Sequence, residues 1–379
     1  MAVAEDLSLS RDLSETRAEL RRARHLPGYV YDSPEIFALE KEKIFLKDWL
    51  ALARVEEIER PGDYMTFRVL GEPVVVCRDR GGAINAFANV CAHRGVEVAA
   101  GSGNTGEFSC PYHGWLYDLQ GRLIGAPYMK EAEGFDPAFC RLKPLRAGTW
   151  AGWVFVNFDD AAMPLERHVA FFEEAFGFFR MQDCRLGSKH TTDVDCNWKF
   201  VNENLMDVYH FQTLHAETFG AHLDGEQFAI KTTARGDVSA FYDAAPITPE
   251  GKSLLGTIPW LEGEVDEKLG CMGYLTPHLH MFGRCDMSLP MTIEPLAPDR
   301  TRINIYFLYP GSRFDEDGFA GKIKVYHDFG ALVLDEDRSM VQGMQRNMAS
   351  RHFVPGPMSK LERTVHDIVN GYLERVFDA

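Results

Sequence analysis

The 379-residue sequence contains no apolar run of the roughly 20 residues that a membrane-spanning helix needs. Positive charge is also scarce, because 40 lysines and arginines are set against 56 aspartates and glutamates, a formal net charge of -16. This balance argues against nucleic acid or an anionic membrane as the main partner. The first residues lack the apolar core of a secretory signal, so we expect a cytoplasmic, reducing location.

Cysteine is too sparse and too scattered for a disulfide framework, with eight in the whole chain. In a reducing compartment these residues are interpreted as thiols or metal ligands. Six have no ligand-like spacing and are interpreted as small buried hydrophobic residues: Cys77, Cys140, Cys184, Cys196, Cys271 and Cys285. Cys91 and Cys110 differ because each is followed closely by a histidine.

The length and the texture of the chain predict two domains. Short β-branched runs separated by glycine and proline turns predict a compact antiparallel β domain over residues 40–160. Residues 1–39 and 161–379 mix predicted helices with predicted strands, which favours an α+β domain around one antiparallel sheet. Ser33 before Pro34, and Ser359 three residues before Glu362, predict two helix starts.

Two short motifs in the β domain each supply one cysteine and one histidine. Cys91 precedes His93 by two residues, Cys110 precedes His113 by three, and sixteen residues separate the motifs. Two cysteines and two histidines can hold a structural zinc ion, although zinc fingers usually pair like ligands. The mixed pairs suit a [2Fe-2S] cluster with two thiolates on one iron and two imidazoles on the other.

A second group of possible ligands follows in the α+β domain. Asp207 and His210 are three residues apart, so they adjoin if the segment is helical, and the helix is expected to break near His215. Two histidines and a carboxylate would complete a triad that leaves positions on Fe(II) open for oxygen and substrate. An acidic run on a predicted C-terminal helix offers Asp335 and Asp337 as candidate carboxylates.

These motifs together resemble the α subunit of Rieske non-haem iron oxygenases, the ring-hydroxylating and N-demethylating enzymes. The resemblance rests on CAHRG…CPYHGW, on ENLMDVYHFQTLH and on the late EDR…Q run. It implies a Rieske [2Fe-2S] domain and a catalytic domain of the helix-grip type, in which helices cover an antiparallel sheet. The implied cluster ligands are Cys91, His93, Cys110 and His113.

The same resemblance implies that His210, His215 and Asp337 bind a mononuclear Fe(II), with Asp335 as a weaker candidate. Asp207 would occupy the acidic position that links an iron-binding histidine to a Rieske histidine of another subunit. The implied assembly is a homotrimer, because the chain is short for members that also carry β subunits.

The implied activity is that of a terminal oxygenase, a mono- or dioxygenase that uses O2. Electrons from NAD(P)H would arrive through a separate reductase or ferredoxin, since no G-x-G-x-x-G motif follows a predicted strand. A small quaternary ammonium or N-methyl substrate is favoured, with aromatic rings or acids as the alternative. Four aromatic residues are considered for a cation-binding cage, with plain core packing as their alternative: Phe241, Tyr242, Trp260 and Tyr274.

A protein of another class, a Rieske electron carrier without oxygenase activity, also fits the cluster motif. It would hold two irons per chain, whereas an oxygenase would hold three.

Overall fold

The computed structural model describes residues 13–220 and 228–378. The predicted catalytic range of 1–39 and 161–379 is therefore described in part, because residues 1–12, 221–227 and 379 lie outside the described residues. The chain divides into two compact units, one with the described residues up to Ile44 and from Val169 onward, the other Phe45–His168. The sequence puts the domain boundaries at residues 40 and 160, a few residues earlier. Among the described helices, none is long and apolar enough to cross a membrane.

The smaller unit is an antiparallel β structure. Its strands are β1 (Leu50–Arg54), β2 (Asp63–Val69), β3 (Glu72–Arg78), β4 (Ile84–Ala88), β5 (Ser102–Asn104), β6 (Glu107–Ser109), β7 (Leu116–Asp118), β8 (Leu123–Gly125), β9 (Pro144–Trp150) and β10 (Trp153–Asn157). One sheet has the order β1-β10-β9-β4-β3-β2-β5, and β6-β7-β8 form a second. Val75, Phe87, Phe108 and Tyr117 share one buried core with Cys91, so the cluster motif begins inside this core.

The larger unit contains a seven-stranded antiparallel sheet. Its strands are β11 (Cys184–Val194), β12 (Ala229–Thr232), β13 (Val238–Asp243), β14 (Leu269–Leu275), β15 (Leu279–Arg284), β16 (Met287–Ala297) and β17 (Arg300–Pro310). Strands β12 to β17 follow one another as a meander, and β11 pairs with the outer side of β17. The buried positions of β14 to β17 form a largely apolar wall.

Several of the described helices pack against this sheet. The helices are α1 (Tyr29–Asp32), α2 (Pro34–Glu40), α3 (Leu165–Phe176), α4 (Trp198–Met206), α5 (Phe211–Leu214), α6 (Phe319–Asn347) and α7 (Arg363–Leu373). Helix α6 contacts β11 and α4, while α4 contacts β14 and β16. The predicted fold class, a β Rieske domain joined to an α+β unit with helices on an antiparallel sheet, is confirmed.

The predicted helix starts are confirmed, but one predicted helix ends early. Ser33 caps α2 by accepting a hydrogen bond from the Ile36 N–H at 3.2 Å. Ser359 and Glu362 form the expected capping box, at a 3-10 turn that leads into α7. Helix α4 ends at Met206, well before His215, because the Asp207 side chain competes with the backbone for hydrogen bonds.

Candidate iron–sulfur and mononuclear metal sites

The two cluster motifs adopt the same turn. In each loop the cysteine carbonyl accepts a hydrogen bond from a glycine N–H four residues later, at 2.9 Å for Cys91 and Gly95 and 3.0 Å for Cys110 and Gly114. Each cysteine N–H donates to the carbonyl five residues later, at 2.8 Å in both loops. The two glycines have φ values of 78° and 68°, a region that side chains rarely adopt. The repeated turn brings the two Cys-His pairs together.

The geometry of these four residues fits a two-iron cluster. Nδ1 of His93 lies 3.2 Å from Nδ1 of His113. Two nitrogens bound at about 2.1 Å to one tetrahedral metal ion would lie roughly 3.4 Å apart, so this pair fits one iron. A structural zinc ion takes four ligands around one point. Among the described residues, no three of these four side chains have their ligand atoms close enough together to share one metal ion. The cysteines are buried and the histidines are exposed, so the two kinds of ligand occupy different depths.

Two aromatic side chains support the cluster motif. The Trp115 ring stacks on His93 with ring centroids 4.8 Å apart. The hydroxyl of Tyr117 lies 3.2 Å from the Cys91 sulfur and accepts a hydrogen bond from the Ala92 N–H. Hydrogen bonds to cluster-ligating sulfurs tune the reduction potential. Tyr117 was not predicted from the sequence, because it lies on β7 beyond the motif.

In the larger unit, the structure brings His210, His215 and Asp337 together. Their possible ligand atoms all lie within 4.8 Å of one another. Oδ1 of Asp337 is 3.4 Å from Nε2 of His210 and 3.1 Å from Nε2 of His215. Nε2 of His210 and Oδ1 of Asp337 are buried without a hydrogen-bond partner of good geometry. Such orphaned atoms are costly, and a metal ion between the three side chains would satisfy them.

Both histidines are oriented through their other ring nitrogen. Asp207 binds Nδ1 of His210 through Oδ2 at 2.9 Å, while its Oδ1 accepts a hydrogen bond from the Tyr209 N–H. Glu336 binds Nδ1 of His215 at 2.7 Å. A carboxylate that accepts the Nδ1–H leaves Nε2 free as a metal ligand. Sequence reasoning missed Glu336, although it lies in the acidic run that supplies Asp337.

The acidic run on α6 contains carboxylates with different surroundings. Asp335 is exposed and lies 3.3 Å from the Arg338 guanidinium, whereas Asp337 is buried. The buried stripe of α6 passes through Leu334, Asp337 and Val341 at helical spacing. Met340 and Met344 also lie at helical spacing from Asp337, but both are exposed and do not belong to this stripe.

The charges of the site stabilise one another. Burial lowers the pKa of His210, but the neighbouring carboxylates of Asp207 and Asp337 outweigh this and raise that pKa to about 9. Burial raises the pKa of Asp337, but the two neighbouring histidines outweigh it and lower that pKa.

The three residues open into a largely apolar cavity of about 70 Å³. Its aromatic lining comes from Phe211, Phe219, Tyr242 and Phe282, and the Arg284 guanidinium also lines it. Of the four residues considered for a cation cage, Tyr242 is the one among the described lining residues. The other three are not among the described lining residues, which favours their alternative of packing within the fold: Trp260 and Tyr274 donate to backbone carbonyls, and Phe241 stacks on Phe176.

A second cavity, of about 260 Å³, is lined by Asp207, the hydrogen-bond partner of His210. His25, Tyr31, Glu203 and Glu362 contribute its polar lining. The Tyr31 hydroxyl donates to Glu203 at 2.9 Å, and burial raises the pKa of Glu203 to about 7. Asp207 lines this cavity and His210 lines the first, so their hydrogen bond joins the two spaces.

Comparison with known proteins agrees with this geometry. Residues 48–141 match the Rieske [2Fe-2S] domain, and residues 181–377, just over half of the chain, match the catalytic domain of the ring hydroxylating alpha subunit. The chain is 27% identical over 417 residues to the glycine betaine monooxygenase oxygenase subunit of Chromohalobacter salexigens, covering 98% of this chain and 90% of that protein.

It is 36% identical over 194 residues to the carnitine monooxygenase oxygenase subunit of Acinetobacter baumannii, covering 50% of this chain. That match spans about half of the relative's length, 52%.

Solved structures show the same fold. A quaternary ammonium Rieske monooxygenase in complex with an inhibitor superimposes with a TM-score of 0.78 at 23% identity, covering 95% of this chain and 98% of that one. Naphthalene 1,2-dioxygenase from Rhodococcus sp. superimposes with a TM-score of 0.76 at 22% identity, covering 93% and 94%. The two domain matches confirm the resemblance to Rieske non-haem iron oxygenase α subunits found in the sequence: the chain belongs to the ring-hydroxylating alpha-subunit family.

Proposed function

We propose that the chain is the terminal oxygenase component of a multicomponent system that oxidises a small quaternary ammonium or N-methyl compound with O2. A separate reductase or ferredoxin would supply electrons from NAD(P)H, and three copies of the chain would form a ring. The observation that carries the oxygenase proposal is the convergence of His210, His215 and Asp337 on one buried point that faces a cavity. An electron carrier would not need this second site.

The donor sets determine which metal group each site would hold. Cys91, His93, Cys110 and His113 would hold the [2Fe-2S] cluster, and the His210, His215 and Asp337 side chains would hold Fe(II). When bound, the cluster supplies single electrons and the mononuclear iron supplies oxygen activation.

The protein's own residues fix the geometry around these groups. Asp207 and Glu336 accept hydrogen bonds from the Nδ1 atoms of the two histidines, which directs both Nε2 atoms to the metal position. Asp207 also faces the second cavity, which supports its proposed role as the link to a Rieske histidine of a neighbouring subunit. The apolar lining of the first cavity would limit the access of water to the substrate carbon that is oxidised.

The substrate proposal rests on the relatives and on the aromatic lining of the cavity. The relatives' names specify glycine betaine, carnitine and choline as their substrates. Phe211, Phe219 and Phe282 line the cavity. Aromatic rings attract a quaternary ammonium group that lies over their faces.

Oxygen uptake with a surrogate reductase tests this function. We expect uptake to depend on a trimethylammonium substrate and to release formaldehyde when an N-methyl carbon is oxidised. Uptake with aromatic substrates alone would move the chain to the aromatic branch of the family. Two irons per chain and no uptake with any substrate would instead identify an electron carrier.

A further inference from the structure

Arg284 is a buried cation in the wall of the cavity that His210, His215 and Asp337 also line. Its side chain is 2% exposed. Nε donates to the Ala245 carbonyl at 3.0 Å, and Nη1 donates to the Gly283 carbonyl at 2.8 Å and to the Tyr242 hydroxyl at 3.4 Å. All three acceptors are neutral. Across residues 13–220 and 228–378, no carboxylate forms an ion pair with this guanidinium.

The nearest acidic residue along the chain does not compensate this charge. Asp286 lies two residues beyond Arg284, and its carboxyl group accepts a hydrogen bond from the Tyr326 hydroxyl. Burial raises the pKa of Asp286 and favours its neutral form, and this outweighs the opposite effect of the nearby Arg284 charge. Among the described lining residues, the carboxylate of Asp337 has both histidines as partners. Within the part of the chain that the structure describes, the positive charge of Arg284 is thus without an ion-pair partner and faces the cavity.

A buried charge without a counter-charge is expensive. A guanidinium is also more weakly hydrated than an ammonium group, and its planar fork matches the two oxygens of a carboxylate. The Tyr242 ring lies 5.4 Å from the guanidinium carbon, which helps to hold its plane in position. A purely cationic ligand would meet a like charge here, whereas a ligand with a carboxylate would supply the missing one.

We propose that Arg284 determines substrate specificity by binding a carboxylate of the substrate. Building on the proposed function, the substrate class becomes a small betaine, with a carboxylate at Arg284 and a quaternary ammonium group against the aromatic lining. Choline, which has no carboxylate, would be a poor substrate.

Calorimetric binding to the purified holoprotein tests this assignment with two ligands of nearly equal shape, glycine betaine and its primary amide. We expect the wild-type protein to prefer the carboxylate, and Arg284→Met to weaken glycine betaine binding about 30-fold, as expected for a charge-assisted hydrogen-bonded pair. Binding of the amide should change less than about threefold under the same reasoning. Arg284→Lys should retain part of the preference, because it keeps the charge and loses the fork.

Arg313→Met is the matched control. Arg313 is also a buried arginine that donates to a backbone carbonyl, but it pairs with Glu316 and does not line this cavity. Its substitution should leave the affinities for both ligands unchanged. Unaltered thermal unfolding and visible absorption of Arg284→Met would show that the variant is folded and holds its cluster.

Equal losses for glycine betaine and its amide in Arg284→Met would overturn the assignment, since they would reveal a structural role. Equal binding of the two ligands to the wild-type protein, or failure of every carboxylate to bind, would overturn it as well. A second ligand pair, benzoate and benzamide, separates this inference from the proposed function. If benzoate binds and its binding depends on Arg284, while glycine betaine does not bind, the carboxylate assignment stands and the quaternary ammonium proposal fails.

Discussion

The two candidate metal sites of this chain are built in opposite ways. The proposed cluster ligands lie on two loops with the same turn, and each loop brings a cysteine and a histidine together within four consecutive residues. The mononuclear site is buried and joins residues far apart in sequence, such as His215 and Glu336, which are 121 residues apart. The first depends on local backbone conformation, while the second depends on α6 packing correctly in the unit. Changes at one site should therefore leave the other intact.

The largest expected effect comes from the third ligand of the mononuclear site. Asp337→Ala should lose the mononuclear iron and all oxygenation, because it removes a charged ligand from a buried position, while the visible spectrum of the cluster persists. Asp335→Ala is the control on the same helix, and it should retain substantial activity since Asp335 is exposed and paired with Arg338. Iron content and oxygen uptake measure both outcomes. If Asp335→Ala lost the iron and Asp337→Ala kept it, Asp335 would be the third iron ligand instead of Asp337.

The reciprocal change acts on the cluster. His113→Cys replaces an imidazole by a thiolate on one iron, so we expect the Rieske-type electron paramagnetic resonance signal to change or disappear. The iron proposed to bind at His210, His215 and Asp337 should remain, because the loop at His113 is exposed and contributes nothing to that site. Metal analysis of the variant, with its spectrum in the reduced state, checks both statements. An unchanged spectrum would rule out His113 as a cluster ligand.

Asp207→Asn probes the proposed connection between the two sites. Asparagine keeps the shape of the side chain and can still accept the Nδ1–H hydrogen bond of His210, but it removes the negative charge. Both metals should stay bound, while turnover falls about 100-fold, the upper range for changes to such outer partners. Single-turnover product formation at the wild-type rate would exclude Asp207 from the link.

The contrast between the sites also explains what the sequence could predict. The four proposed cluster residues form a local pattern, so the sequence alone suggested the motif, while the repeated turn was seen only in the structure. His210 and His215 were assigned through the family resemblance. Glu336 and Arg284 were missed, because their roles arise only when α6 and β15 are brought beside distant segments.

The break after α4 was mispredicted for a related reason. Helical periodicity continues past Met206. The Asp207 carboxylate, however, accepts hydrogen bonds from the Tyr209 N–H and from Nδ1 of His210, and these replace the backbone hydrogen bonds that would continue the helix. The predicted proximity of Asp207 and His210 is correct, although a turn rather than a helix produces it.

The smallest expected effect concerns Glu336, which tests how far the buried site depends on residues that do not touch the metal. Glu336→Gln can still accept a hydrogen bond from Nδ1 of His215, and from the Thr218 hydroxyl that shares the same oxygen at 2.9 Å. The substitution removes the negative charge that makes the His215 imidazole a stronger metal ligand, so iron affinity should fall about 10-fold. Competition with a chelator measures this loss. Glu217→Gln, the same change at an exposed position nearby, should have no effect on affinity. Equal affinities of Glu336→Gln and wild-type protein would mean that the position of His215 is fixed by packing alone.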